Sequence, residues 1–443
     1  MPDRAAATDS DPATGRALIP LLTVNMIGTL GFSLVLPFLV YIVDRFGGNE
    51  VIYGLLGATY SFFQLFGAPT LGRLSDRHGR RKILFITQAG TLLSWVVLLV
   101  SLLLPVTTIV EIDSPILGGF VLTVPLLFLF LARALDGTTG GNISVATAYV
   151  VDLSTDKTRA RNMGRMALST NLGFILGPMI AGLLGATVYG EKLPVLAAIL
   201  ISVIGLALIV FLLPESRPTP LKGPPCPSPT RRVLGAETRD CFDHRPQPRT
   251  IRDLLNIKNV PLMLGLYFFI FFAFNTYYGA FPMHAVKGLE WDTAELGFFF
   301  SFASAALIIV QGPVLGFLNQ RVDSVVLFGA GALIMFFSFL AYSLPDDRAV
   351  YAGALLFAIG NGIMWPSFMA MLATLGPADQ KGAIQGLAAG TGSLASILGL
   401  ILGGLIYSQF QSATFIAAGF IFLPCVALAF YLPRTQPQAN TSA

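Results

Sequence analysis

Residues 72–81 read Gly72-Arg73-Leu74-Ser75-Asp76-Arg77-His78-Gly79-Arg80-Arg81, a short basic stretch between two long apolar runs. The runs, 53–72 and 83–104, each contain about the 20 apolar residues that a helix needs to cross a bilayer. Because a charged loop joins two such runs, the stretch is typical of two membrane-spanning helices that meet at one membrane surface.

The composition of the whole chain supports a membrane protein. Of its 443 residues, 54% are hydrophobic and 12% are charged, and the mean hydropathy is +0.72. Soluble domains carry about 25% charged residues, so a soluble enzyme and a disordered chain are both disfavoured. The net charge of +4 is explained by basic loops at a membrane surface, and we predict no nucleic-acid partner.

Chemistry that would indicate an enzyme does not stand out in the sequence. The three cysteines and three histidines are scattered, without metal-ligand spacing or a disulfide framework. The glycine-rich stretch 137–141 lacks the Lys-Ser/Thr of a phosphate loop. We therefore predict no enzymatic activity, no cofactor and no bound metal.

Twelve apolar runs are long enough to span a membrane, and they are continuous, as in helices, rather than alternating, as in barrel strands. The runs are 18–43, 53–72, 83–104, 121–150, 166–188, 193–213, 260–282, 296–318, 325–344, 350–374, 383–407 and 412–432. The predicted fold class is an all-α integral membrane protein with twelve transmembrane helices. With the N-terminus in the cytoplasm, 23 of the 28 basic residues fall on the cytoplasmic side, which satisfies the positive-inside rule. Both termini are then cytoplasmic.

A polar, proline-rich stretch at 214–258 divides the chain into two sets of six spans. We predict an N-terminal tail (1–17), a first six-helix bundle (18–213), a cytoplasmic linker (214–258), a second bundle (259–432) and a C-terminal tail (433–443). The linker is expected to be a solvated tether, with contact to anionic lipid as the alternative. Residues 250–255 are a candidate for a short helix at the membrane surface.

The two sets of spans repeat each other. Pro69, Gly72, Leu74 and Arg77 recur 244 positions later as Pro313, Gly316, Leu318 and Arg321. In the fifth and eleventh spans, Gly164, Gly177 and Gly182 recur 222 positions later as Gly386, Gly399 and Gly404. Parallel six-helix repeats are the plan of a large class of secondary transporters, whose substrate site lies near the midplane between the repeats.

These residues resemble the major facilitator superfamily, and in particular its drug/proton antiporter branch, which includes tetracycline exporters. The resemblance extends over nearly the whole chain apart from the tails and the linker. The stretch 72–81 matches the family's loop between the second and third spans, and 133–137 resembles its fourth-span pattern, with Asp136 where Gln is frequent. The stretch 173–182 resembles its fifth-span antiporter pattern, with Ala181 in place of a glycine. The first span lacks the carboxylate found in several multidrug exporters, which argues against export of many different cations.

The resemblance implies roles for these motifs. Gly72, Asp76, Arg77, Gly79, Arg80, Arg81 and Asp152 would form a conformational latch at the cytoplasmic surface. In that latch Asp76 would accept hydrogen bonds from the start of the eleventh span near 381–383, and Arg77 would pair with Asp152. Gly173, Gly177, Pro178 and Gly182 would pack and bend the fifth span and block leakage between the halves.

Arg133 and Asp136 are the only charged residues inside the twelve predicted spans, and their i, i+3 spacing places them on one helical face. We expect either a static buried ion pair or a proton-responsive carboxylate beside an arginine. An Asp136 that lies near the outer surface in water is a third possibility.

Neutral polar and aromatic residues in the spans are candidates for lining a substrate cavity, with hydrogen bonding between helices as the alternative role. They are Asn25, Gln64, Asn142, Asn171, Asn275, Tyr277, Tyr278, Gln311, Asn361, Trp365 and Gln385. His284 is predicted to be exposed at the outer end of the seventh span.

The sequence and the resemblance together predict a monomeric transporter in the cell membrane, inner or plasma, that works by alternating access. It is expected to export small lipophilic compounds in exchange for protons, within membrane lipid. The alternatives are an uncoupled facilitator or flippase for a neutral or lipid-like substrate and, less favoured, a receptor that does not transport.

Overall fold

The computed structural model describes residues 12–140, 142–154, 158–215, 251–376, 381–429 and 431. Helices account for most of them. Numbered as spans, they are Pro12–Leu34 with Leu36–Arg45 (span 1), Glu50–His78 (2), Arg80–Leu103 (3), Val124–Thr139 with Asn142–Asp152 (4), Arg159–Gly185 (5) and Lys192–Phe211 (6). The second set is Val260–Lys287 (7), Thr293–Ile309 with Val310–Val314 and Leu315–Leu318 (8), Ser324–Tyr342 (9), Asp347–Thr374 (10), Lys381–Phe410 (11) and Ala413–Phe420 with Phe422–Ala429 (12).

Within the described ranges, nine helices are long and apolar enough to cross a membrane, and span 1 is a tenth, bent by 41°. Span 4 is interrupted after Thr139, and span 12 is a shorter apolar helix, Ala413–Ala429. Counted with these two, the helices agree with the predicted twelve.

Proline accounts for interruptions in three spans, because it lacks the backbone N–H that continues a helix. Pro37 follows the break in span 1, and Pro424 follows the break in span 12 at Ile421. In span 8, Pro313 lies inside a π-helical turn, Val310–Val314. The predicted single runs 18–43 and 412–432 are therefore each two helices.

A β-hairpin between spans 3 and 4 was not predicted. Strand β1 (Thr108–Ser114) pairs antiparallel with β2 (Gly118–Thr123), so span 4 begins at Val124 and the predicted start at 121 was wrong. The Val121 N–H donates to the Gly47 carbonyl at 2.8 Å, which fastens the hairpin to the turn between spans 1 and 2. Strand β1 is mostly exposed and β2 is mostly partly exposed, so neither face of the hairpin packs into a core. The alternation Val110-Glu111-Ile112-Asp113 is a short strand signal, which a prediction from long apolar runs does not use.

The hairpin defines one side of the molecule. We call it the hairpin side, and we call the opposite side, where span 6 ends at Phe211 and span 7 begins at Val260, the linker side. Most of the predicted linker, 216–250, lies outside the described residues, as do 1–11 and 432–443. The domain boundaries therefore remain predictions. A short helix, Ile251–Leu255, is present at the predicted place before span 7.

The repeated glycines make equivalent contacts in the two halves. A Cβ on Gly177 would lie 2.8 Å from the Leu30 carbonyl of span 1, and one on Gly399 would lie 2.7 Å from the Phe272 carbonyl of span 7. Spans 5 and 11 thus pack against the first span of their own half with backbones in direct contact, which only glycine permits.

The third pair of repeated glycines joins the halves. A Cβ on Gly182 would lie 3.1 Å from Gly297 of span 8, and one on Gly404 would lie 3.2 Å from the Val51 Cα of span 2. Both contacts are on the hairpin side. At the other ends of spans 5 and 11, a Cβ on Gly164 or Gly386 would meet no atom within 4 Å.

Candidate functional site

The charged pair in span 4 is buried in the protein interior. The side chains of Arg133 and Asp136 approach to 3.1 Å between Nη2 and Oδ2, and the residues are 3% and 8% exposed. Asp136 is therefore not a surface carboxylate in water, which excludes the third expectation. The two atoms lie at ion-pair distance without the angle of a hydrogen bond, and Arg133 Nε also has no hydrogen-bond partner among the described residues.

Two neighbouring helices complete the surroundings of this pair. The Arg133 guanidinium lies 5.8 Å from the ring centre of Tyr60 in span 2, which allows a cation–π contact. The Thr91 side chain of span 3 lies beside the Asp136 carboxylate. The Tyr60 ring in turn lies 5.3 Å from that of Phe32 in span 1, so aromatic groups connect the pair to the first span. A charge this deeply buried is normally tolerated only where it has a function or a fixed partner.

Four of the predicted cavity residues contact helices within their own half. Asn25 donates to the Ser169 and Thr170 hydroxyls of span 5, both at 2.8 Å. Gln64 donates to the Tyr60 hydroxyl of its own helix at 2.9 Å and to the Gly140 carbonyl of span 4 at 3.3 Å. Asn275 donates to Ser396 of span 11 at 2.9 Å, and the Asn142 side chain lies against Gly28 of span 1. These contacts fit the alternative role of joining helices.

Asn171 and Gln311 instead meet across the two halves. The Asn171 amide donates to Gln311 Oε1 at 3.4 Å, from span 5 to span 8. Gln311 lies in the π-helical turn, and such turns occur frequently at functional sites. Asn171 lies near the middle of span 5, whereas Gln311 lies in the last third of span 8, towards the linker side. The contact therefore joins the halves next to the midplane, where the substrate site of a two-repeat transporter is expected.

The predicted aromatic residues of the second half fall in two places. Tyr277 is buried among stacked rings that include Phe281 and Phe357, and Tyr278 lies against it. Trp365 is partly exposed and stacks on Phe368. Of the remaining two candidates, Gln385 is exposed, and Asn361 is partly exposed with a buried amide oxygen that lacks a partner among the described residues.

At the linker side, the motif loop is connected to its own half. Arg80 Nε donates to Asp152 Oδ2 at 2.9 Å, so span 3 is tied to the end of span 4. Asp152 thus pairs with Arg80, and its predicted pairing with Arg77 remains a prediction because the Arg77 side chain lies outside the described residues. The side chains of Asp76, Arg77 and 381–383 lie outside the described residues, and so does the predicted contact between them. An added Cβ on Gly72 would meet no atom within 4 Å.

A contact with the end of span 6 was missed by the sequence. The Glu215 carboxylate accepts the backbone N–H of Arg81 at 3.1 Å, in the first turn of span 3, where the helix dipole favours an anion. The carboxylate lies directly against Gly79, whose φ of 95° also favours glycine. The Arg81 guanidinium donates to the Ile209 carbonyl at 3.1 Å. The signal in the sequence was the position of Glu215, the first charged residue after span 6.

The halves are joined by polar contacts at the hairpin side. Lys287 of span 7 pairs with Glu50 of span 2 at 2.8 Å and lies 3.9 Å from Asp44 at the end of span 1. The Tyr41 hydroxyl donates to the Trp291 carbonyl at 2.6 Å. Together with the glycine contacts of Gly182 and Gly404, these contacts close the hairpin side.

His284 lies directly beneath this closure and is 5% exposed, so the prediction of an exposed histidine was wrong. Its ring lies 5.2 Å from Phe415 and 5.9 Å from Tyr407, and its Nδ1 is 3.3 Å from the Tyr407 hydroxyl. Span 7 continues as a helix to Lys287, so His284 lies inside the span and not at its end. Tyr407 of span 11 and Phe415 of span 12 cover its ring. The sequence could not show this because the cover comes from helices more than 120 residues away.

Comparisons with known proteins agree with this architecture. The sequence profile of the Major Facilitator Superfamily matches residues 21–351 and 263–443. The chain is 26% identical over 417 residues to the class B tetracycline resistance protein of Escherichia coli, covering 93% of this chain and 92% of that protein. Its fold is similar to the crystal structure of the human organic anion transporter MFSD10, with a TM-score of 0.65, 19% identity and coverage of 94% of this chain and 99% of the other. The D-xylose-proton symporter gives a TM-score of 0.75 at 14% identity, covering 96% and 99%.

The chain therefore belongs to the major facilitator superfamily, and its twelve-helix fold is the fold of that family. It is a multi-pass membrane protein and a transporter of small molecules, not an enzyme. Among its relatives are tetracycline resistance proteins, which agrees with the resemblance seen in the motifs.

Proposed function

We propose that this protein exports small lipophilic compounds in exchange for protons by alternating access, with Asp136 as the proton-binding group and Arg133 as its partner. The observation that carries this proposal is the buried pair of span 4, in which the Asp136 carboxylate and the Arg133 guanidinium lie at ion-pair distance. A proton on Asp136 removes the charge that holds Arg133, so the guanidinium becomes free to bind another partner.

The geometry supports competition between proton and substrate for this pair. Arg133 has donor atoms without hydrogen-bond partners in the described part of the chain, and the aromatic ring of Tyr60 provides a flat apolar surface beside it. A compound that engages Arg133 would displace Asp136 and make it available to a proton. The likeness to an organic anion transporter is a reason to include anionic compounds among the tested substrates.

Alternating access requires the two halves to open on one side at a time. The contacts of Lys287, Tyr41, Gly182 and Gly404 describe a state that is closed on the hairpin side. The linker side carries most of the basic residues, so we assign it to the cytoplasm, with both termini there, in the cell membrane. The closed side is then the outer side. The unit of transport is a monomer surrounded by lipid.

The alternative function is an uncoupled facilitator or flippase of a neutral or lipid-like substrate. It is favoured by the second half, whose cavity candidates are neutral amides and aromatic rings. A substrate that only contacts such groups would cross without any change in the charge of Asp136.

The proposal is tested in inside-out membrane vesicles with an acidic lumen, where a quenched dye reports the pH gradient. Lipophilic cations, neutral drugs, organic anions and lysolipids are added in turn to the wild type, to Asp136→Asn and to the control Asp113→Asn. Asp113 is an exposed carboxylate of the hairpin, so its removal changes charge without touching the buried pair. We expect a substrate to release protons in the wild type and in Asp113→Asn, and not in Asp136→Asn.

Two results would contradict the proposal. Proton release that persists in Asp136→Asn would remove Asp136 from the coupling. Saturable uptake of a compound without any proton release in the wild type would instead support the uncoupled facilitator or flippase and make the pair structural.

A further inference from the structure

A second titratable group lies inside the membrane-spanning region, apart from the pair of span 4. His284 is almost fully covered, and its Nε2 has no hydrogen-bond partner among the described residues. Its Nδ1 has one neighbour, the Tyr407 hydroxyl of span 11. Histidine is the side chain whose ordinary titration falls in the range between pH 5 and 8, so a buried histidine in an apolar site is a candidate proton-binding group.

We propose that His284 is a proton-binding site that controls closure of the hairpin side. The neutral ring costs less in the closed state than the protonated one, because it carries no charge, only its Nε2 lacks a partner among the described residues, and its apolar surface packs on Phe415. A protonated ring would bury a positive charge and an Nε2–H for which the described residues supply no acceptor, which is costly. Protonation of His284 therefore favours the state in which the hairpin side is open and water reaches the ring.

The charges around His284 strengthen this effect. Lys287 lies one turn later on the same helix, so a protonated His284 adds a second positive charge on the same face. The described groups that titrate or carry charge near the ring, from the elements packed on span 7, are Tyr407 of span 11, Glu50 of span 2, Asp44 of span 1 and Lys287 itself. Lys287 already pairs with both acidic groups, of which Glu50 is partly exposed and Asp44 is exposed.

The residues around His284 also join the two halves, so a proton bound at His284 can change the contact between the halves. Tyr407 lies one turn after Gly403 and Gly404 in span 11, and Gly404 packs on span 2 at Glu50 and Val51. Glu50 also pairs with Lys287 of span 7 at 2.8 Å. A change at His284 thus acts on two helices, 7 and 11, that both touch span 2 of the other half.

The test measures the closure directly and needs no substrate. Spin labels are placed at Val188 and Leu344, exposed hairpin-side positions on opposite halves, and their distance is recorded by pulsed electron resonance in nanodiscs from pH 5 to pH 8. The variants are His284→Gln, His284→Phe and the control His78→Gln, which removes an exposed histidine of the linker side. His284→Phe keeps an aromatic ring against Phe415.

We expect the open population, in which the two spin labels are far apart, to grow as the pH falls through about 6.5, the ordinary pKa of histidine. A tenfold difference in proton affinity between the two states changes their ratio by up to about tenfold over this range. The response should disappear in both His284 variants and persist in His78→Gln. It should also persist in Asp136→Asn, so failure of the transport proposal can be told apart from failure of this one.

The proposal is overturned if the wild-type distance distribution does not change with pH. It is equally overturned if acid increases the closed population, or if His78→Gln loses the response while either His284 variant keeps it.

Discussion

The buried pair of span 4 allows a quantitative prediction about stability. At 3.1 Å and an effective dielectric constant of about 20, two unit charges attract by about 5 kcal/mol. Loss of one partner from a buried pair usually destabilises by about 3–5 kcal/mol, because the other charge stays buried without compensation. Since the contact lacks hydrogen-bond geometry, we expect Asp136→Ala to lower the free energy of unfolding by about 3 kcal/mol, at the lower end of this range.

The double variant Arg133→Met with Asp136→Ala measures how much of this loss comes from the unpaired charge of Arg133. Removal of both charges leaves no unpaired ion, so the double variant should be at least about 1 kcal/mol more stable than Asp136→Ala alone. The assay is reversible unfolding in mixed micelles, followed by far-UV circular dichroism, at pH 8 and low salt.

Additivity decides whether the reasoning holds. If the two single variants and the double variant add within about 0.5 kcal/mol, the two side chains do not interact energetically, and the pair does not act as a unit. The control Arg45→Ala breaks the half-exposed contact with Glu191 and should change stability by less than about 1 kcal/mol.

Three further predictions follow from the contacts between the halves. Gly404→Leu should prevent closure of the hairpin side, because its side chain would overlap the backbone of span 2, whereas the control Gly386→Leu places its side chain in open space. The distance between spin labels at Val188 and Leu344 would measure closure in both variants, and equal open populations would contradict the prediction. Lys287→Gln should change the ratio of closed to open protein by at most about fivefold, because the ion pair between Lys287 and Glu50 is partly exposed. The spin-label distances measure this ratio, and a much larger change would contradict the prediction. If Asn171 and its partner Gln311 contact the substrate, Asn171→Ala should change the apparent KM for a transported compound by about fivefold or more in vesicle uptake. An unchanged KM would mean that the two residues only connect the helices.

The sequence by itself determined the class of fold and the position of the charged pair. Long apolar runs must be helices in a bilayer, because only helices satisfy their own backbone hydrogen bonds there, so twelve spans could be read from hydropathy alone. The i, i+3 spacing of Arg133 and Asp136 placed both on one helical face, and the repeated glycines marked where backbones approach. These are local properties of the chain.

The tertiary structure decided which partners those residues have. His284 is covered by spans 11 and 12, Asp152 pairs with Arg80, and Glu215 binds the start of span 3, and each of these contacts joins segments far apart in sequence. The hairpin between spans 3 and 4 owes part of its support to the turn at Gly47, a backbone contact that leaves no hydrophobic pattern. Hydropathy depends on the residues of one segment and predicts whether that segment lies in the membrane. Burial and pairing depend instead on which helices pack against each other, and this is determined by the tertiary structure.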